Sequence, residues 1–408
     1  MGGRLLAAAR GADDWLATRL GPTRVLFVLS DGYGFSCQAE VIRHLAGRPG
    51  VVVATTTDRP RPVDEIVLAD PQEATLFRAH YQDPRRAAWR KWHMVVDTHR
   101  SAFYPKRHAL RLFMHHGPGF GILGAKVAVA EEFDGFLGLS AIQRGIFERL
   151  RPGLFDQRHA FFAVGFPKDD PFARNTYDRV AILTNLGLDP RLPTLLITSH
   201  WQAGATLRCF RAAPFARLAE AGGWNVLQTG HPWLWRGRRG GLEPAWCEAL
   251  VAELRAVEQR FPHARFLPDL RVEPLLAAAD LLVADHSSVM TTYALRDRPI
   301  VWFDNPEFEF ALPEIETIYR AATHPFTEID GLVAACREAL AAPAARAAGR
   351  RLMRDTFHAN PGAAGSVAAA VIEAIGRCCR VDGRGWARVL ALSSRLEHGG
   401  HGPALVGG

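Results

Sequence analysis

Residues 279–303 read ADLLVADHSSVMTTYALRDRPIVWF, and the fold class follows from them. LLVA at 281–284 and IVWF at 300–303 are short continuous apolar runs, the pattern of strands buried on both faces of a parallel sheet. Residues 288–295 between them fit one helix, so the segment is a strand, a loop, a helix and a second strand. Asp285 leaves the first strand at its carboxyl end. Ser287 and Ser288 fall where the helix begins, and hydroxyls beside the free N–H groups of a helix start suit an anion. N-capping alone accounts for one of these two serines.

Working outward, strands are predicted at 194–198 (TLLIT), 224–229 (WNVLQT) and 264–267, with helices at 212–221, 244–260 and 272–279. An earlier series begins at 24–30 (RVLFVLS) and continues at 51–54, 94–97, 110–115 and 136–139. Gly32 and Gly34 turn the chain after its first strand, and 38–45 reads as a helix. Strands alternating with helices argue for doubly wound α/β domains. Two such Rossmann-like domains in tandem with a helical C-terminus outline the GT-B architecture. The expected division is an N-terminal helical segment 1–22, an N-terminal Rossmann-like domain 23–165, a linker 166–193, a C-terminal Rossmann-like domain 194–345, C-terminal helices 346–376 and a basic tail 377–408, either disordered or a helix docked on the N-terminal domain. Ligands of such domains sit beyond the carboxyl ends of the strands.

Of 408 residues, 48% are hydrophobic and 22% charged, which excludes a disordered chain, collagen and a coiled-coil rod. No apolar run of about 18 residues and no signal core is present, so the expectation is a cytoplasmic protein. The six cysteines lack CxxC spacing, and no Asp/His cluster has ligand spacing. No metal site is read, and a divalent ion is neither implied nor excluded. The net charge of +7 is local: residues 85–111 carry +7 and residues 376–408 carry +3, leaving −3 elsewhere. That distribution suits a polyanionic acceptor or an anionic membrane face as well as nucleic acid.

Three further strand ends carry reactive groups. His115-His116-Gly117-Pro118-Gly119 follows RLFM, and an imidazole on a Gly-Pro-Gly turn suits a general base. Gly230-His231-Pro232 follows WNVLQT, with His231 able to donate to a phosphate. Thr198-Ser199-His200-Trp201 follows TLLIT, where His200 and Trp201 either contact a base or phosphate or pack the domain. The loop Asp31-Gly32-Tyr33-Gly34 lacks a full GxGxxG and shapes the acceptor side instead.

In this order the segments resemble the CDP-glycerol glycerophosphotransferase family, which builds or primes teichoic-acid-like and capsular polyol-phosphate polymers. The family's His-Gly is similar to His116-Gly117, its Gly-Tyr-Pro-Arg-x-Asp to 165–170 (GFPKDD), and its His-Pro to His231-Pro232. Its Ala-Asp-x-Leu-Ile-Thr-Asp-Tyr-Ser-Ser run resembles 279–288, with Asp285, Ser287 and Ser288 in place, and 133–140 (FDGFLGLS) and Arg298-Pro299 also resemble family segments. Departures are the missing Lys after His-Gly unless Lys126 serves, Gly230 in place of an Arg, His286 in place of the Tyr, and Thr292 in place of an Asp. The resemblance spans roughly 90–375 and implies a GT-B transferase with CDP-glycerol or a related CDP-polyol as donor and no bound cofactor. It implies His116 as base, with Gly117, Gly32 and Gly34 on the acceptor side. His231, Ser287 and Ser288 would hold the donor phosphates, with Asp285, His286, His200, Trp201 and Gly230 around them.

Two other readings stand beside this one. A GT-B nucleotide-sugar glycosyltransferase or non-hydrolysing epimerase would need a ribose-binding carboxylate, for which Glu307 and Glu309 are the nearest residues. A basic binding protein would grip nucleic acid through 89–111, yet no nucleic-acid motif is present. The implied acceptor is polyanionic or lipid-linked. Two surfaces would bring the enzyme peripherally to an anionic inner membrane face: 85–111 with Trp89, Trp92, Phe103 and Tyr104, and the tail with Trp386, Val389, Leu390 and Leu396.

Overall fold

The computed structural model describes residues 8–15, 20–60, 68, 70–101, 103–115, 117, 132–155, 158–237, 241–310, 312–379 and 385–398. Two compact units divide the chain. One comprises Met1–Gly117, Ile122–Asp170 and His358–Gly408; the other comprises Pro118–Gly121 and Pro171–Phe357.

The first unit holds a six-stranded sheet of β1 (Thr23–Leu29), β2 (Val51–Thr57), β3 (Met94–Asp97), β4 (Leu110–Met114), β5 (Gly135–Gly138) and β6 (Ala160–Ala163). Its order is β2-β1-β3-β4-β5-β6, and every pairing is parallel. The apolar run of β1 is buried on both faces, as its sequence requires: Val25, Phe27 and Leu29 join one core, Leu26 and Val28 another. The expected strand positions are borne out; β6 went unread because AFFA is short and lies in no periodic context.

The second unit repeats the plan with β7 (Thr194–Ile197), β8 (Asn225–Gln228), β9 (Ala264–Phe266), β10 (Leu281–Ala284), β11 (Ile300–Phe303) and β12 (His324–Phe326). Its order is β12-β11-β10-β7-β8-β9, again all parallel. Leu195, Ile197, Val226, Leu281, Val283 and Val301 meet helix residues Phe215, Leu218, Leu250 and Leu254 in one core. Each such side chain, fully buried, contributes about 1.5–3 kcal/mol of transfer free energy. Two parallel six-stranded sheets with flanking helices and a helical C-terminus are the tandem Rossmann, GT-B arrangement expected from the strand pattern.

Several local readings need correction. The first helix is Gly32–Ala46, not 38–45, because Asp31 caps it: its Oδ1 accepts the Gly34 N–H at 2.7 Å. Gly32 and Gly34 thus lie in the first helical turn. Gly34 is needed there for close approach, since a Cβ would sit 2.5 Å from Thr98 Oγ1. The chain passes from one unit to the other within 166–193, between Asp170 and Pro171, and the residues on each side are tied into their own unit. Asp170 accepts the N–H groups of Ala364 and Gly365 at the start of the helix Ala364–Cys379. Arg179, on the helix Arg179–Asn185, donates to Ala278, Pro190 and Leu192 carbonyls and to Asp280.

The expected basic tail contains a further helix, Gly385–His398, that packs into the first unit. Val389 and Leu392 enter its core, and Ser393 Oγ both accepts from Phe161 N (3.1 Å) and donates to Phe161 O (2.7 Å). The N–H and C=O of Phe161 on the edge strand β6 are thereby satisfied, which helps to protect that edge from foreign pairing. No described helix is long and apolar enough to cross a membrane.

Candidate functional site

In the second sheet the chain order reverses between β7 and β10, and the crevice beyond such a switch point is the expected ligand site of an open α/β sheet. Three loops leave the strands there: 198–201 from β7, 229–233 from β8 and 285–288 from β10. Asp285 ties the first to the third. Its carboxylate, fully buried, accepts from Ser199 Oγ (2.7 Å), from the His200 N–H (3.0 Å to each oxygen) and from the Thr206 N–H (3.0 Å). Ser199 Oγ in turn accepts the Leu207 N–H at 3.0 Å. The β8 loop joins the same frame, because His231 N–H donates to the Ser199 carbonyl at 2.9 Å. Gly230 permits that approach: a Cβ would lie 3.1 Å from Ser199 O and 3.0 Å from both Leu234 Cδ1 and Trp235 Cζ2.

This frame brings His200 and His231 together, with ring centroids 5.5 Å apart. Trp201 and Trp233 flank them, 4.6 Å from each other, and Trp233 meets His231 edge-on at 5.1 Å. Burial lowers both histidines: His231 falls to about 4, with His200 adding repulsion, while Asp285 partly opposes the shift of His200. Both rings are therefore neutral at pH 7.

His286 has a different setting. Its ring lies flat on Phe308 (3.4 Å between centroids, 12° between planes) and edge-on to Trp302 and Phe310. Burial, then His200, pushes it down to about 3. Its Nε2 and the Ser287 hydroxyl are buried with no hydrogen-bond partner among the described residues. Ser288 occupies the N-cap position of the helix Val289–Tyr293 without a side-chain capping bond. The helix is shorter than the predicted 288–295, because Ala294–Arg296 tightens into a 3₁₀ turn. Glu307 and Glu309 are exposed in the following loop, whose Asn305 donates to the Gly204 carbonyl at 2.9 Å.

In the first unit the reversal falls between β1 and β3. There the Asp31 cap, Thr98 and His99 meet: Thr98 Oγ1 and His99 Nδ1 are 2.9 Å apart, and His99 Nε2 lies 3.8 Å from Asp31 Oδ2. Buried Asp97, raised by desolvation against the hydrogen bonds of Ser101 and the His99 N–H, holds this loop. His116 and Lys126 lie outside the described residues; Gly117 is half-buried and His115 buried. Among the described residues no group of three or more His, Cys, Asp or Glu side chains converges as a metal site.

Sequence reasoning passed over Ser199, Thr206 and Trp233 in the second unit and Thr98 and His99 in the first. The available signal was their position one to four residues beyond strands already recognised; Thr206, reached only through folding, had none.

Comparison with known proteins places the segment carrying Asp285. Residues 253–309 match the family model described as CDP-Glycerol:Poly(glycerophosphate) glycerophosphotransferase. The resemblance read from the sequence is borne out there. No curated protein matches the chain. Among solved structures, the fold is similar to the wall teichoic acid polymerase TagF, at 14% identity and a TM-score of 0.60 over 90% of this chain and 91% of that one. A TagF variant soaked with CDPG gives the same identity and TM-score over 92% and 95%. The UDP-GlcNAc 2-epimerase of Neisseria meningitidis bound to UDP-GlcNAc is similar at 9% identity and 0.58, over 87% of this chain and all of that one.

The basic segment 85–111 is partly consumed by the fold. Trp92 and Phe103 are core residues, and Trp92 Nε1 donates to Ala87 O at 2.7 Å. Arg107 pairs with Asp13 and Asp14, and Lys91 donates to the His108 carbonyl. Arg85, Arg86, Lys106, Trp89 and Tyr104 stay exposed, with Arg10 over the Trp89 ring at 4.4 Å.

Proposed function

We propose that this chain is a polyol-phosphate transferase that moves glycerol phosphate from CDP-glycerol, or a related unit from a CDP-polyol, to a hydroxyl of a polyanionic or lipid-linked acceptor. The observation that carries the reading is the meeting of His200 and His231 at the switch-point crevice, in the frame held by Asp285 two residues before the buried Ser287 hydroxyl, within the unit whose residues 253–309 match the glycerophosphotransferase model. The likeness of fold to TagF and its CDPG-soaked variant agrees with it.

The reaction is an in-line displacement. The acceptor oxygen forms a bond to the glycerol-bearing phosphorus, the bond from that phosphorus to the bridging oxygen breaks, and the electron pair leaves with CMP. His116 takes the acceptor proton and passes it to solvent, a contribution of about 10²–10⁴-fold. His231, Ser287 and Ser288 hold the diphosphate, where each hydrogen bond to a charged group is worth about 1.5–3 kcal/mol. Positioning and charge stabilisation do most of the work in phosphoryl transfer. The enzyme would act in the cytoplasm, drawn to an anionic inner membrane face by Arg85, Arg86, Lys106, Trp89 and Tyr104.

Incubation with CDP-glycerol, CDP-ribitol and UDP-sugars in separate reactions, with detection of the released nucleotide, tests the reading. CMP from a CDP-polyol is expected. UDP or UMP from a UDP-sugar, with no CMP from either CDP-polyol, would refute it.

A further inference from the structure

We infer that His200 and His231 are a matched pair of Nε2–H donors that grip one phosphate group of the donor from the tips of adjacent strands, and that Asp285 positions both without touching the ligand. This rests on the reading above and adds to it the roles of His200 and Asp285.

The two histidines share one local device. The backbone N–H of Gln202 donates to His200 Nδ1 at 3.3 Å, and that of Trp233 donates to His231 Nδ1 at 3.2 Å. In both cases the donor is two residues further on. A nitrogen that accepts a hydrogen bond carries no proton, so the single proton of each neutral ring resides on Nε2. The same backbone bond fixes each ring's orientation. This tautomer rules both rings out as bases or metal ligands through Nε2 and leaves each with one donor. Two such donors on rings 5.5 Å apart suit an acceptor that offers several oxygens at one centre. The flanking Trp201 and Trp233 add no charge to oppose an anion, and their bulk lowers the local dielectric, which strengthens each bond.

Asp285 belongs behind this pair. It has no solvent exposure, and its two oxygens are taken by Ser199, His200 and Thr206. Through the His200 N–H it holds the β7 loop directly. Through Ser199, whose carbonyl receives the His231 N–H, it holds the β8 loop at second hand. One buried carboxylate therefore sets the separation of two imidazoles from neighbouring strands.

The test uses the full-length protein with CDP as probe. Nitrogen-15 NMR of the histidine rings should show the Nε2–H tautomer for both His200 and His231 at pH 7. By calorimetry, His200→Ala and His231→Ala should each weaken CDP binding about tenfold or more. His200→Gln and His231→Gln, whose amide N–H can occupy the Nε2 position, should restore most of the loss. Asp285→Asn should weaken CDP binding as much as either alanine variant and move the ring signals of both histidines, and Ser199→Ala should move those of His231. An Nδ1–H tautomer in either ring overturns the pairing. Loss in His231→Ala with wild-type binding in His200→Ala removes His200 and leaves the proposed function standing. Wild-type binding in both alanine variants overturns the anion site of the proposed function as well. Unmoved His231 signals in a folded Asp285→Asn protein overturn its positioning role.

Discussion

Two imidazoles held neutral inside the second unit make its stability depend on acidity in a defined window. His231 titrates at about 4 and His286 at about 3 in the folded chain, against 6.5 for the unperturbed ring, and burial is the main cause in both. The folded-state values lie below the unfolded one, so the unfolded chain binds more protons between the two. Stability is then full above about pH 6.5 and declines as the pH falls toward 4. Near pH 5 the unfolded state holds almost two extra protons on these rings. Each is worth about 1.4 kcal/mol per pH unit, an upper limit of about 2.7 kcal/mol per unit for the pair. Both rings are half-buried, and residual solvation reduces the expected slope to about 1–2 kcal/mol per unit. Urea denaturation at pH 7.5, 6.5, 5.5 and 4.8 measures it. His231→Gln and His286→Gln should each remove about 0.5–1 kcal/mol per unit of slope, whatever they do to absolute stability, because the carboxylate titrations and those of His200 and His324, also lowered by burial, are common to all the proteins. A double variant with the wild-type slope would refute the argument that burial keeps these rings uncharged.

Three other outcomes follow from the site and the packing. His116→Ala should lower turnover by about 10²–10⁴-fold while CDP-glycerol affinity stays within about twofold, and His115→Ala, measured beside it, should retain turnover; steady-state CMP release reads both. Gly165→Ala should destabilise the first unit by about 3 kcal/mol or more, since φ is +98° there and a Cβ would fall 1.9 Å from the Ala359 carbonyl oxygen; thermal unfolding reads the loss. Vesicle sedimentation should show binding that requires anionic lipid, weakens with salt and drops when Arg85, Arg86 and Lys106 become Ser, and equal binding to neutral vesicles would rule out an electrostatic surface.

How far the sequence could be read depended on whether the interaction was local. LLVA and IVWF announce buried parallel strands by composition alone, and the Asp285 run lies at the strand end beside the switch point of the second sheet. Asp285 itself was legible as a site residue but not as an inward-facing one, since its partners Ser199 and Thr206 lie about 80 residues away in sequence. Gly32 and Gly34 suggest a turn by residue type and so hide the first six residues of the first helix, whereas the Asp31 cap and the close approach of Thr98 to Gly34 place both within it. Trp92 and Phe103 looked like membrane aromatics among cations; only folding shows them turned into the core while Trp89 and Tyr104 remain outside.

The helix Gly385–His398, with Val389 and Leu392 in the core of the first unit and Ser393 along β6, has a consequence for biosynthesis. The ribosome releases Pro171–Phe357 as one uninterrupted stretch, so the second unit can fold as soon as it emerges. The first unit, although its strands are made earlier, lacks the helices Ala364–Cys379 and Gly385–His398 until much later. Nascent β6 thus waits with a bare edge through the synthesis of more than half the chain. A translation arrest or a nonsense mutation just after Cys379 would release a protein whose second unit is sound and whose first unit exposes a sheet edge to aggregation and quality-control proteolysis.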